Sequence, residues 1–204
     1  MRYADIYGPK PEDASYYKLT FGEDSERTRA RMRELIIYIA EKSRGDMRFG
    51  ATKLNKILYY SDFLAFREYG QSITGARYMR LEHGPAPTHL KPLREEMLAS
   101  KDITSEKIPY YTRDLDVVKP LRTANVDLFE KRELILVDAI ISELRQFDAH
   151  EVSTLSHTRA WTVAGQRESI PYEAIYLSDE GLTEDDIDWA YSSAVTAGLI
   201  DAPF

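Results

Sequence analysis

Histidine and serine side chains are the first candidates for chemistry in this sequence of 204 residues. Ser156 and His157 are neighbours, and neighbouring side chains on a helix point about 100° apart, so they do not form a nucleophile with its general base. The four histidines include no i, i+4 pair of the kind that binds a metal on a helix: His83, His89, His150 and His157. Cysteine is absent, as are the motifs of serine hydrolases, nucleotide-binding loops and zinc proteases. We therefore expect no enzyme, no bound cofactor and no metal site.

Two lysines form the second group with chemical potential, because they interrupt an apolar stretch. Lys53 and Lys56 lie in residues 49–70, which read FGATKLNKILYYSDFLAFREYG. On a helix their side chains fall within about 60° of each other, with Tyr60 and Arg67 close by. One interpretation is a polar strip that a partner contacts. The other is that the lysine stems cover apolar neighbours while their amines reach water, and the pattern leaves both open.

The same stretch predicts the helix around which the other elements pack. Tyr59 and Phe63 carry apolar surface around to the side opposite the main stripe, so this surface is too extensive to lie on one neighbour. Gly50 and Gly70 flank the helix, and a residue without Cβ accepts the left-handed conformation that closes a helix end. The apolar stripe itself consists of Leu54, Ile57, Leu58, Ser61, Leu64 and Ala65.

Hydrophobic periodicity and turn residues predict the elements around this helix. His83-Gly84-Pro85 is expected to turn the chain between a strand and a helix, since Gly84 permits positive φ and Pro85 fixes the next φ. Trp161 falls in an irregular stretch. The predicted helices are Ser25–Lys42, Thr88–Ala99, Asp127–Phe147, His150–His157 and Thr183–Gly198. A capping box of Asp127 with Glu130 opens the third of these helices. The predicted strands are Ala76–Glu82 and a hairpin of Ile103–Tyr111 with Leu115–Leu121.

These elements predict a mainly α fold: a compact helical domain around a central buried helix, with a small β-hairpin or short sheet. We expect residues 1–24 to form an N-terminal arm, and residues 25–204 to form a single domain. No run approaches the roughly 18 apolar residues of a membrane span, and the N-terminus lacks the apolar segment of a signal peptide. The expected compartment is the cytoplasm, without a membrane partner.

The formal net charge of −7 argues against a general nucleic-acid binder, since Lys and Arg supply most of the affinity for a phosphate backbone. One local exception is the first helix, which carries Arg27, Arg29, Arg31 and Arg33. A solvated helix face accounts for these arginines, and a nucleic-acid-binding regulator is the alternative. The acidic residues 179–188 are likewise explained by the helix dipole at the start of the last helix.

Several of these motifs occur in an order that resembles a known family. Lys53 to Tyr60, reading KLNKILYY, is followed by a Gly at the helix end and then by His83-Gly84-Pro85. Leu155-Ser156-His157 then precedes Trp161 and Ile170-Pro171. This arrangement is similar to the Panacea domain of SocA-like antitoxins, also described as phage-associated proteins, and covers about residues 30 to 176.

The resemblance implies an antitoxin of a toxin–antitoxin system that neutralises a cognate protein toxin by direct binding. Recruitment of a protease is a further role known in the family, and a homo-oligomer is compatible with the pattern. Two alternatives stay open: a nucleic-acid-binding regulator and an uncharacterised enzyme. We expect the partner-binding surface to include Lys53, Lys56, Tyr60, Arg67, Tyr78, His83, Gly84, Pro85 and Trp161.

Overall fold

The computed structural model describes residues 19–110 and 113–177, together with residues 188, 191–192, 194–196 and 198. The helices are α1 (Glu26–Lys42), α2 (Ala51–Tyr69), α3 (Leu90–Ala99), α4 (Lys131–Leu144), α5 (Ala149–Leu155) and α6 (Arg159–Thr162). The strands are β1 (Tyr78–Leu81), β2 (Gly84–Pro87), β3 (Ile103–Tyr110), β4 (Arg113–Pro120) and β5 (Ser169–Ile170). Short 3-10 segments cover Val126–Leu128 and Tyr172–Tyr176. Apart from the few positions named, the predicted last helix and residues 1–18 of the predicted arm lie outside the described residues.

Helix α2 is the central element, as its sequence predicts. Leu54, Leu58 and Phe63 are fully buried, and α2 contacts α1, α4, α5, β2, β4 and the second 3-10 segment. Gly70 ends the helix in the left-handed conformation with φ 72° and donates its N–H to the Phe66 carbonyl oxygen. A long helix buried on several sides therefore organises the fold, because its apolar surface exceeds what one neighbour covers.

Helix α1 packs on α2 and is capped by Ser25. The Ser25 side chain accepts a hydrogen bond from the Thr28 backbone N–H, which satisfies one of the free donors of the first turn. Just before it, the Tyr172 N–H donates to the Thr20 carbonyl oxygen and the Glu23 N–H to the Gly75 carbonyl oxygen. The chain is thus already packed on the body of the protein from Thr20 onward. The boundary at residue 25 stays a prediction.

The predicted turn between a strand and a helix at His83-Gly84-Pro85 is wrong, since Gly84–Pro87 forms strand β2. Glu82 and His83 are the loop of a tight hairpin in which Leu81 pairs with Gly84 and Arg80 pairs with Pro85. The prolines are tolerated because β2 is the edge of a sheet with strand order β2-β1-β5, where an outward-facing position needs no N–H donor. Proline at this edge also prevents a further strand from pairing there.

The second sheet is the predicted hairpin, β3 paired antiparallel with β4 from Ile103 opposite Pro120 to Tyr110 opposite Arg113. Two other predictions need correction. The capping box of α4 consists of Glu130 and Glu133, three residues after the predicted one, and the helix ends at Leu144 rather than Phe147. Trp161 lies in the short helix α6. The architecture is therefore mainly helical with two small antiparallel sheets.

Candidate functional site

Lys56 lies beneath the β1–β2 hairpin and is almost fully buried, with 1% of its surface exposed. Its Nζ donates to the Pro85 carbonyl oxygen at 3.0 Å, and no carboxylate among the described residues pairs with it. Burial without a counter-charge penalises the ammonium form and lowers the pKa of Lys56 to about 7. The Lys56 side chain therefore connects α2 to β2. Its charge depends on pH near neutrality.

Gly84 lies where α2, the hairpin and the end of α5 come together. Its φ is 94°, and a Cβ built on it would lie 2.3 Å from Ser156 Oγ and 2.6 Å from Lys56 Nζ. Ser156 Oγ donates to the Ser153 carbonyl oxygen at 2.7 Å, and Ser153 Oγ donates to the His83 carbonyl oxygen at 2.7 Å. Ser156 and Lys56 both lie close to Gly84 and are buried. Ser153 and Lys56 hold the hairpin through the carbonyl oxygens of His83 and Pro85.

Aromatic and basic side chains form the outer layer above this junction. The rings of His157 and Trp161 are stacked with centroids 4.3 Å apart, and the Arg80 guanidinium carbon lies 4.1 Å from the Trp161 ring centre. Trp161 Nε1 donates to the Leu81 carbonyl oxygen at 3.0 Å. The pKa of His157 is lowered, first by burial and then by the positive charges of Lys56, His83 and Arg80. We define the motif face as His83, His157 and Trp161 with the buried residues Lys56, Gly84, Pro85, Ser153 and Ser156 beneath them.

Comparison with known proteins assigns a family to the region that forms this face. The family model described as antitoxin SocA-like, Panacea domain, matches residues 54–162, more than half of the chain. The chain belongs to this family. No curated protein and no solved structure matches it.

Every residue of the motif face lies within the matched range of the Panacea domain. The structure thus brings together three segments that are far apart in the sequence: the KLNK turn of α2, the His-Gly-Pro hairpin and the Leu-Ser-His end of α5. Of the predicted partner-binding residues, His83 is exposed and Trp161 is partly exposed. Gly84 and Pro85 are buried and shape the backbone below them.

The interpretation in which the lysine amines reach water is wrong, because Lys56 is 1% exposed. Lys53 is also 1% exposed, and its Nζ lies 2.7 Å from Asp46 Oδ2 and 3.3 Å from the Arg145 carbonyl oxygen. Its partners come from the loop before α2 and from the residue after α4. In this structure Lys53 is enclosed by these partners, and Lys56 supports the hairpin through the Pro85 carbonyl oxygen. A direct contact of either lysine with a partner stays a prediction.

The remaining predicted residues on α2 and β1 lie outside the motif face. Tyr78 is buried and donates its hydroxyl to Asp62 Oδ2 at 2.8 Å, in a core network where burial raises the pKa of Asp62 to about 6. Tyr60 is half-buried against the core. Arg67 is exposed, pairs with Glu68 at 2.8 Å, and lies about 16 Å from Lys56 along the helix axis.

Four residues around this site were not among the predicted partner-binding residues: Arg80, Ser153, Ser156 and His157. Ser156 and His157 entered the sequence analysis only through the motif that carries the family resemblance. Ser153 holds the His83 carbonyl oxygen, and Arg80 covers one side of Trp161 while donating to the Ala164 carbonyl oxygen at 2.8 Å. A weak signal was available for the stack, since His157 and Trp161 are four residues apart, a spacing at which side chains on a helix turn meet. No sequence signal pointed to Arg80 or Ser153.

The arginines of α1 are mostly engaged in ion pairs within the protein. Arg29, Arg31 and Arg33 approach Glu96, Glu133 and Asp102 at 2.6, 2.7 and 2.6 Å. Arg27 is exposed and has no ion pair within the part of the chain that the structure describes. Carboxylates from other elements thus neutralise most of this stripe, which weakens the case for a phosphate-binding helix.

No group of three or more His, Asp or Glu side chains is placed to hold a metal ion in residues 19–110 and 113–177. No described helix combines the length and the apolar character needed to cross a bilayer.

Proposed function

We propose that this protein is the antitoxin of a toxin–antitoxin pair and that it neutralises its toxin by direct, non-covalent binding. The observation that carries the proposal is membership of the SocA-like, Panacea-domain family over residues 54–162. The chain would act without a cofactor and in the cytoplasm, where it meets a newly made toxin. Occlusion of the toxin by an interface of about 1,200–2,000 Å² is sufficient for this purpose.

We further propose that the motif face forms part of that interface. Its family motifs converge in space, and its buried layer holds the exposed His83 loop in a defined position through Ser153 and Lys56. Trp161 is fixed between Arg80 and His157, and rigid aromatic anchors of this kind are enriched among the residues that dominate binding energy. A rigid surface of this kind loses little conformational entropy when it binds.

The test is growth of a bacterial host that expresses the open reading frame next to this one, with and without this protein. We expect the neighbour to stop growth and this protein to restore it. The purified pair should then bind in isothermal titration calorimetry. A harmless neighbour, or failed rescue although both proteins are made, would remove the main support for the proposal. Salt-dependent nucleic-acid binding would then be measured next.

Single substitutions locate the interface in the same assay. His83→Ala removes an exposed ring from the motif face, and His89→Ala removes a second exposed histidine that lies beside Asp24. We expect His83→Ala to weaken toxin binding about tenfold, about 1.4 kcal/mol, and His89→Ala to leave it within twofold. Equal effects would place the interface elsewhere on the protein without removing the antitoxin proposal.

A further inference from the structure

An open cleft with a volume of about 470 Å³ lies beside the motif face. Its walls come from the first turns of α2, the β1–β2 hairpin, α3 and the loop before β5. It shares His83 and Gly84 with the motif face, and Asn55, Arg94 and Arg167 contribute polar groups. This volume falls within the range of pockets that enclose a ligand or several side chains of a partner.

Two side chains in the cleft have hydrogen-bonding capacity that the described protein does not use. Asn55 Oδ1 is buried without a hydrogen-bond partner within the described ranges, and so is Arg94 Nε. A second nitrogen of the Arg94 guanidinium donates to Asp116 Oδ2 at 2.9 Å, which anchors the group at the cleft wall. Unsatisfied polar groups are unfavourable, and a ligand that satisfies them after a small side-chain rotation gains that free energy.

The lining of the cleft is more basic than the chain as a whole. Arg94 and Arg167 line it with one carboxylate, Glu82, whereas the net charge of the protein is −7. Asp116 balances Arg94, so Arg167 supplies the unpaired positive charge of the cleft. The first turn of α2 also contains no acidic residue and no side-chain cap, so the dipole of this 19-residue helix adds to the positive potential.

Arg167 is held in place by its backbone. Its φ is 64°, and its N–H donates to the Arg80 carbonyl oxygen at 2.9 Å at the end of β1. Its side chain is exposed and makes no ion pair among the described residues. A rigid backbone with an unpaired guanidinium is suited to bind a carboxylate from another molecule.

We infer that this cleft binds an acidic segment of the partner toxin, an inference that rests on the proposed function. Carboxylates of the segment pair with Arg167 and Arg94, and a backbone N–H of the segment donates to Asn55. Recognition occurs through these side chains rather than by strand addition, because Pro85 and Pro87 close the edge of β2. A bound protein segment also continues directly onto the motif face, which a small free anion would leave uncovered.

The experiment compares Arg167→Glu and Asn55→Leu with the charge-matched control Lys131→Glu, at an exposed position outside the cleft. Binding to the purified product of the neighbouring open reading frame is measured by calorimetry at 50 and 200 mM salt, and folding is checked by thermal unfolding. We expect Arg167→Glu to weaken binding at least tenfold and to reduce its salt dependence. Asn55→Leu should weaken binding about fivefold without changing its salt dependence, and Lys131→Glu should stay within twofold.

The outcomes separate this inference from the proposed function. If the wild-type protein binds and rescues growth while Arg167→Glu behaves like Lys131→Glu, the acidic-segment inference is overturned and the antitoxin proposal stands. If the wild-type protein does not bind the neighbour at all, the antitoxin proposal fails and the inference fails with it. A labelled oligonucleotide that competes with the toxin for the wild-type cleft, but not for Arg167→Glu, would replace the acidic protein segment with a nucleic acid.

Discussion

The regions around Lys53 and Lys56 each bury a lysine amine, and they satisfy it with different partners. Each lysine is 1% exposed, and they lie one turn apart on α2. Lys53 Nζ has a carboxylate partner, Asp46, at 2.7 Å, whereas Lys56 Nζ has only the carbonyl oxygen of Pro85 at 3.0 Å. The first region is a closed ion pair, and the second contains a buried amine whose charge is not balanced.

The two buried lysines carry different energetic costs. A buried ion pair costs desolvation energy on both sides, and it persists because the loss of either partner is worse than keeping both. An unbalanced amine avoids this cost by releasing its proton when buried, so it can support the hairpin in neutral form. The region with the unbalanced amine is the one beneath the motif face, where a partner is proposed to dock.

The largest expected effect comes from breaking the closed pair. Asp46→Ala leaves Lys53 buried and uncompensated, so we expect the free energy of unfolding to fall by about 3–5 kcal/mol. Chemical denaturation monitored by circular dichroism measures this change. The double variant Asp46→Ala, Lys53→Met should recover much of the loss, because both charges are then absent. A single-variant loss below about 1 kcal/mol would contradict the view of this region as a closed pair.

A smaller effect is expected at the close approach beneath the hairpin. Gly84→Ala introduces a Cβ that would lie 2.3 Å from Ser156 Oγ at a φ of 94°, so we expect a loss of about 2–4 kcal/mol. Gly70→Ala is the matched control, since its φ is 72° and no atom lies within 4 Å of the added Cβ. The control should lose only about 1–2 kcal/mol from backbone strain. Equal losses would show that the close approach itself contributes nothing.

The smallest expected effect is a dependence of stability on pH that arises from Lys56. The folded protein releases the Lys56 proton near pH 7, while the unfolded chain retains it to about pH 10.5. Between these values the unfolded state binds more protons, so stability due to Lys56 rises with pH by up to about 1.4 kcal/mol per unit. Lys56→Met should remove this slope in denaturant unfolding at pH 7, 8 and 9. A slope that is unchanged in Lys56→Met would mean that the amine is not the source.

Local patterns predicted the helices better than the short strands. The start of α1 near Ser25, the α2 end at Gly70 and the β3–β4 hairpin were correct because cap chemistry and periodicity act over a few residues. Strand β2 was missed because proline normally argues against a strand, and only its position at a sheet edge makes Pro85 acceptable. The partner-binding roles of the site residues stay predictions.

The sequence by itself determined the central helix, its ends and the mainly helical class, since apolar periodicity and glycine placement are readable from adjacent residues. Its motifs also indicated the family. Only the tertiary structure decided which lysine is paired and which is not, because Lys53 meets Asp46 from the loop before α2 whereas 29 residues separate Lys56 from the carbonyl that it binds. Burial, and with it the charge of an ammonium group, is a property of the packed chain rather than of the residue.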